Sequence, residues 1–223
     1  PSVARLYDPE DGQLHFSDFA AKDDCVLLFM AEGNAGISAA TAAGIAEIVA
    51  NYPECQPVES RLIAAWFDDL VWDASKVARE DERIRRTRNV NRTTEISADW
   101  STINDIYEAV LPRIRREIRG ITLLGGHSSH SYINGTNMYF NYFYDLVDCG
   151  PEEEVTKYYL PIISIICEET LRHGGSIVHH HGIGKARAPW VRDEYGSSYH
   201  ILETLKHAFD PDGIMNRGTI IPG

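Results

Sequence analysis

Gly174-Gly175-Ser176-Ile177-Val178-His179-His180-His181-Gly182-Ile183-Gly184-Lys185-Ala186-Arg187 is the stretch around which this sequence is organised. A helical run ends at the paired glycines. A short apolar segment follows and delivers three consecutive histidines to a glycine turn and two cations. Read as a strand, the segment points successive side chains to opposite faces, so His179 and His181 share one face and His180 turns away with Val178. Packing alone does not call for three adjacent imidazoles. Gly182 and Gly184 permit positive φ or a close backbone approach to a ligand.

Three chemistries compete here. Clustered histidines bind zinc or nickel. Neighbouring side chains on a strand diverge, however, so the triplet alone closes no coordination shell, and no metal is assigned. A phosphate-cradling G-x-x-x-x-G-K-[ST] loop needs Gly at 179 and Ser or Thr at 186, where the chain has His179 and Ala186. The third reading is a catalytic segment that supplies a general base and polar contacts to a cofactor.

Working outward, residues 2–7 and the continuous apolar run Cys25–Ala31 read as strands. Residues 14–21 read as a short helix after a turn at Asp8–Gly12, and Ser38–Asn51 as an alanine-rich helix. Residues 59–74 place Leu62, Ile63, Trp66, Phe67, Leu70 and Val71 at helical spacing, with Trp66 and Trp72 as core anchors. Val90–Ser97 reads as a strand. Trp100, Ile103, Ile106, Tyr107, Val110, Leu111, Ile114 and Ile118 form a helical stripe, and Ile121–Gly126 begins a further strand. Asn134-Gly135 signals a hairpin into the aromatic strand Asn137–Tyr144. Pro151–His173 reads as a helix kinked or split at Pro161, and Ser197–Phe209 as a last amphipathic helix.

This pattern predicts an α+β fold. An antiparallel sheet carries helices on one face and is built from two ferredoxin-like halves, about 1–120 and 121–223.

With 223 residues, 43% apolar and 24% charged, the chain is long enough to bury a substantial core. A net charge of -12 argues against general nucleic-acid binding. No apolar run reaches the length of a membrane span. Cys25, Cys55, Cys149 and Cys167 show no CxxC pairing and read as buried thiols in a reducing setting. The location expected is cytoplasmic, with peripheral membrane contact allowed.

The run HHHGIGK, with Trp190, Lys206 and Asp210-Pro211-Asp212-Gly213-Ile214-Met215-Asn216, resembles the C-terminal region of FAD-linked oxidases of the vanillyl-alcohol-oxidase and p-cresol-methylhydroxylase type. Thr94-Glu95-Ile96-Ser97-Ala98-Asp99-Trp100, Ser129-His130-Ser131-Tyr132 and Tyr139-Phe140 extend the resemblance, which is closest to alkyldihydroxyacetonephosphate synthase. It implies an FAD cofactor whose main binding domain, N-terminal in the family, is absent from this chain. The fragment alone is therefore expected to be inactive. It implies acyl-to-alkyl exchange on a lipid phosphate; an FAD-dependent 2-hydroxy-acid dehydrogenase is the alternative. A stand-alone metal or small-ligand binding module is the reading from another class.

The resemblance places catalysis on Tyr139, His179, His180 and His181. Substrate contacts fall on Arg85 or Arg86 of the arginine cluster (Arg79, Arg83, Arg85, Arg86, Arg88, Arg92), on His130, and on Lys185 and Arg187; Asn216 lies on the flavin side. The partners expected are the N-terminal FAD-binding domain and, through an otherwise uncovered sheet face, a second copy of the chain in a homodimer.

Overall fold

The structure, a computed structural model, describes residues 1–63, 66, 67, 70 and 73–221. Its strands are β1 (Val3–Tyr7), β2 (Val26–Met30), β3 (Asn89–Asp99), β4 (Ile121–Ser128) and β5 (Gly135–Asp145). Its helices are α1 (Pro9–Phe16), α2 (Ala35–Val49), α3 (Ala74–Thr87), α4 (Ile103–Glu117), α5 (Leu160–Arg172), α6 (Val191–Tyr195) and α7 (Tyr199–Phe209). The strands form one five-stranded sheet in the order β2-β1-β4-β5-β3, every neighbour antiparallel.

Alternation along β5 creates the two faces. Phe140, Tyr142 and Tyr144 are fully buried beneath helices, while Tyr139, Asn141 and Phe143 point to the other side and are only half-buried. On α4 the buried residues Ile103, Ile106, Val110 and Ile114 recur at helical spacing. They pack with Ile162, Ile165 and Ile166 of α5 against Ile96 and Leu124 of the sheet. Each such side chain contributes roughly 1.5–3 kcal/mol by leaving water.

The unit β3-α4-β4-β5-α5 has ferredoxin-like βαββα order. Its fourth strand is reduced to a bridge between Ser97 and Ser176 on the outer edge of β3. The turn at residues 118–120 lies inside this unit, and the β4–β5 hairpin sits between β1 and β3 in the same sheet.

Several local expectations change. Asp8-Pro9 is not a turn but a helix start: the Asp8 side chain accepts from the Asp11 N–H, and Pro9 opens α1. The expected helix from Pro151 to His173 is broken into a 3-10 turn at Pro151–Glu153, a π turn at Val155–Tyr159 and α5. Pro161, which has no N–H to give, falls in the first turn of α5, where none is needed. In the expected helix over 59–74, Ser60–Ile63 is a 3-10 turn and Trp66 is buried against Phe16; Val71 and Trp72 lie outside the described residues. Cys149 and Cys167 are buried as expected, but Cys25 and Cys55 are exposed, because each sits in a short connection rather than in a core element. Among the described residues no helix is long and apolar enough to cross a membrane.

α1 lies on the face opposite α4. Its approach to β4 depends on Gly125: a Cβ there would meet the Asp11 backbone N and the Asp8 Oδ1 at 2.6 Å each. Gly125→Ala should force α1 away from the sheet and cost about 1–3 kcal/mol, a fall in melting temperature of roughly 2–12 °C. A thermal melt unchanged by the substitution would contradict this packing.

Candidate active site

One row of side chains crosses four strands on the face that α4 and α5 leave free. The register pairs Tyr7 with His127, His127 with Tyr139, and Tyr139 with Glu95. Directly opposed residues share a face, so the four side chains stand side by side. Tyr7, His127 and Tyr139 stack in sequence, with ring centroids 5.0 and 4.6 Å apart. α1 fixes the middle ring. Asp11, fully buried, meets His127 Nδ1 through Oδ2 at 2.5 Å and accepts from Asn141 Nδ2 at 2.9 Å. Burial pushes the Asp11 carboxyl up, but the bonds to His127 and Asn141 outweigh it and hold the group below the usual carboxylate range.

Glu95, at the end of the row, is fully buried and organises the histidine segment. Its carboxylate accepts the backbone N–H of His179 on both oxygens at 3.0 Å, and those of His180 at 3.2 Å and His181 at 3.0 Å. Arg187 Nη1 lies 3.6 Å from Oε1 and donates to the Gly182 carbonyl at 3.2 Å. Burial alone would raise the Glu95 carboxyl; the three amides and Arg187 reverse this and lower it.

Three successive N–H groups aimed at one anion are incompatible with a strand, where they alternate. The segment after the Ser176 bridge is therefore a bend, an anion-binding nest of backbone amides, and the expected sharing of a face by His179 and His181 does not occur. Gly182 continues the bend at φ +80°.

Bending brings the rings together instead. His179 and His180 face each other, Nδ1 to Nδ1, at 2.7 Å. The far nitrogen of each meets a phenol: His180 Nε2 lies 2.7 Å from Tyr139 Oη, and His179 Nε2 lies 2.8 Å from Tyr132 Oη. His181 packs edge-on to Tyr139, with centroids 5.3 Å apart. His130 closes the group, 5.2 Å from the His179 ring and 4.9 Å from that of His180. Its loop is held by Asn137, whose Oδ1 accepts the N–H groups of Ser129 and His130.

Burial and the nearby Glu95 charge raise the Tyr139 phenol. Burial, then the neighbouring histidines, lower His130; burial is also the main cause lowering His181. A cavity of about 260 Å³, lined among others by Ser97, Tyr132, Asn134, Ser176 and His179, adjoins the cluster.

Of the residues singled out in the sequence, Tyr139, His130, His179, His180 and His181 converge. Arg187 is buried beneath the bend and engaged with Gly182 and Glu95. Lys185 is exposed on the glycine turn. Arg85 and Arg86 lie exposed in the last turn of α3, with no hydrogen bond to the cluster. Asn216 is exposed at φ +44°, in a C-terminal segment tied to the glycine turn by the Ile220 N–H to Gly184 carbonyl bond.

Sequence reasoning does not single out Asp11, Glu95 or Tyr132 as site residues, and His127 enters it only beside His130, as two histidines within four residues that raise metal binding. Glu95 does carry a signal: an acid between Thr94 and Ile96 in an otherwise half-buried strand needs a partner.

The model of the family "FAD linked oxidases, C-terminal domain" matches residues 1–220. The chain is 60% identical, over its whole length, to the protein of Escherichia coli K12 named "Uncharacterized FAD-linked oxidoreductase YgcU", and covers 46% of that protein. It is 32% identical to the alkyldihydroxyacetonephosphate synthase of Trypanosoma brucei brucei over 44% of this chain and 16% of the synthase. A solved alkyldihydroxyacetonephosphate synthase structure superimposes with a TM-score of 0.61 at 16% identity, over 97% of this chain and 38% of its own; at that identity the likeness carries the fold alone. The chain thus spans about half the length of the full-length curated relative it matches.

Because Glu95 is more acidic folded than unfolded, its stabilisation is complete above the ordinary carboxylate pKa and is lost as pH falls through the lower folded value. Glu95→Gln keeps the shape but turns an amide towards three donors. It should cost about 2–4 kcal/mol at neutral pH and flatten the acid side of the stability profile. Equal melting temperatures for the variant and the parent at neutral pH would contradict the role of this carboxylate.

Proposed function

The chain belongs to the FAD-linked oxidase C-terminal domain family, and on that premise we propose that it is the substrate-side domain of an FAD enzyme whose acid–base pair is Tyr139 and His180. Its cofactor is FAD. The observation that carries the proposal is the 2.7 Å contact between Tyr139 Oη and His180 Nε2 on the free face of the sheet. The surroundings fit one wall of a flavin site: the rings of Tyr139, His180 and His181 and the hydroxyl of Tyr132 stand on a face that α4 and α5 do not cover. The rest of the protein, including an N-terminal FAD-binding domain, closes the other side. Family membership takes the place of the stand-alone binding module.

When bound, the flavin supplies the electron-accepting chemistry that side chains lack. The chain's own groups handle the proton. Burial and Glu95 make a free phenolate at Tyr139 costly. Tyr139 therefore accepts a substrate proton as its own proton passes to His180 Nε2, so no phenolate accumulates. The Glu95 carboxylate, 3.8 Å from His180 Nδ1, offsets the positive charge that forms on the ring. His127, stacked on Tyr139 and fixed by Asp11, holds the phenol in place. The reverse transfer returns the proton at the end of the reaction.

The reaction we assign is the exchange performed by the alkyldihydroxyacetonephosphate synthases. Tyr139 takes a proton from the carbon beside the ketone of an acyl-dihydroxyacetone phosphate, the acyl group leaves as a carboxylate, and the oxygen of a fatty alcohol takes its place. HHHGIGK, Tyr139 and the likeness to the trypanosomal enzyme support this. Lys185, exposed on the glycine turn, is the cation offered to the phosphate.

A second reading is favoured by the 60% identity to a protein named as an FAD-linked oxidoreductase. Here the same pair takes the hydroxyl proton of a 2-hydroxy acid as hydride leaves the adjacent carbon.

Incubation of the full-length protein with each substrate class separates the two. Ether product without net flavin reduction is expected; anaerobic bleaching by a 2-hydroxy acid would overturn the exchange and support the dehydrogenase. In either case Tyr139→Phe should lower kcat by about 10²–10⁴-fold with FAD still bound. Turnover close to that of the parent would remove Tyr139 from the chemistry.

A further inference from the structure

Four side chains on the free face are joined end to end by three short contacts. Tyr139 Oη lies 2.7 Å from His180 Nε2, His180 Nδ1 lies 2.7 Å from His179 Nδ1, and His179 Nε2 lies 2.8 Å from Tyr132 Oη. One placement of protons satisfies all three. With His180 Nε2 open to accept from Tyr139, the single proton of that neutral ring sits on Nδ1 and donates to His179 Nδ1. His179 then carries its own proton on Nε2 and donates to Tyr132, whose O–H is left for water. Each ring nitrogen is used once, and every link donates in the same direction. The two imidazoles stand at 88° to each other, which lets neighbouring residues share a bond between their Nδ1 atoms.

We propose that His179 and Tyr132 form a proton relay, which carries the proton received by His180 away from the reacting centre to water at the edge of the sheet. The inference rests on the reading of Tyr139 and His180 as the acid–base pair and adds the path by which that pair exchanges protons with solvent. On that reading the rest of the protein closes over Tyr139 and His180 and shuts water out. Tyr132, on the β4–β5 loop, is half exposed. It borders the cavity that it shares with Asp99, Asn134 and His179, at the edge of β3 where Ser97 bridges Ser176. The loop is held there by Trp100, whose Nε1–H donates to the Tyr132 carbonyl at 2.9 Å. As His180 Nε2 takes the Tyr139 proton, the His180 Nδ1 proton moves to His179 Nδ1. The His179 Nε2 proton moves to Tyr132 Oη, and the Tyr132 O–H proton passes to water. One proton enters at Tyr139, one leaves at Tyr132, and no electrons are transferred; histidine suits such a shuttle because its two nitrogens accept and donate on opposite sides of one ring. The Glu95 carboxylate, 3.8 Å from His180 Nδ1, offsets the charge in transit, and it holds the backbone amides of both histidines, which keeps the links short. Each imidazole ends with its proton on the other nitrogen. The reverse stroke, or water reaching the rings once product has left, restores the start.

Nitrogen NMR of full-length protein labelled in its histidine rings tests the resting chain without a substrate. Under mildly alkaline conditions the ring-nitrogen shifts should show the proton on Nδ1 of His180 and on Nε2 of His179, with His179→Ala and His180→Ala identifying the signals. The same nitrogen protonated on both rings would break the central link and overturn the proposal. Turnover tests the path itself, on whichever of the two substrate classes the full-length enzyme accepts. Tyr132→Phe should lower kcat several-fold with KM unchanged, and imidazole added to the buffer should restore it by carrying the proton in place of the phenol. Parent-like kcat in Tyr132→Phe would overturn the relay, and so would a loss that imidazole does not restore, which a merely structural role would give. Circular dichroism and flavin absorption confirm that each variant is folded and loaded. Tyr139→Phe tells the two failures apart. If it abolishes turnover while Tyr132→Phe leaves kcat unaltered, the acid–base pair stands and the relay falls; if it turns over like the parent, the acid–base pair itself falls.

Discussion

A single buried carboxylate governs the shape of this domain's working face. Glu95 stands at the end of a cross-strand row and gathers three consecutive backbone amides from a segment 84 to 86 residues away in sequence. An unpaired carboxylate in that position would be costly; charge-assisted bonds to the amides and the nearby Arg187 make it tolerable and fix the bend. The bend places Nε2 of His180 on Tyr139 and that of His179 on Tyr132. The geometry of the candidate site follows from where this one anion can be satisfied.

The sheet beneath it is built for rigidity. Tyr139 lies on β5, the strand paired on both sides over most of its length. Its alternate residues anchor the helical core, so the phenol projects from a strand whose other face is packed solid. His127 stacks on it from β4, and α1 reaches over Gly125 to lock His127 through Asp11. Elements distant in sequence thus converge on one aromatic row, as a positioned acid–base group requires.

Much of this is legible in the sequence. The strand-and-helix rhythm, the apolar stripe of α4, the Asn134-Gly135 hairpin and the aromatic alternation of β5 are local patterns, and they predict the α+β sheet. HHHGIGK and Tyr139 mark the surface where the cluster forms. What local pattern cannot convey is the path of the triplet. Strand periodicity sends adjacent rings apart, and only the distant Glu95 carboxylate turns three amides the same way. The cross-strand row is hidden for the same reason: Asp11, His127 and Glu95 become neighbours through register, which single-strand periodicity does not specify. The arginine cluster is the converse case. Within α3 Arg83 pairs with Glu80 one turn away, while Arg88 donates to the Cys149 carbonyl and Arg92 on β3 pairs with the buried Glu154, so one run of arginines in sequence serves three separate places in the fold.

The measurement that bears most directly on this account is hydrogen–deuterium exchange of the 177–183 peptide in the full-length protein, beside peptides from β5 and from the exposed turn near Ile133. The account predicts that the His179–His181 amides exchange slowly, in the range of the β5 peptide, because each is bonded to a buried carboxylate. Exchange as fast as the exposed turn would contradict it and leave the histidines without the frame that positions them.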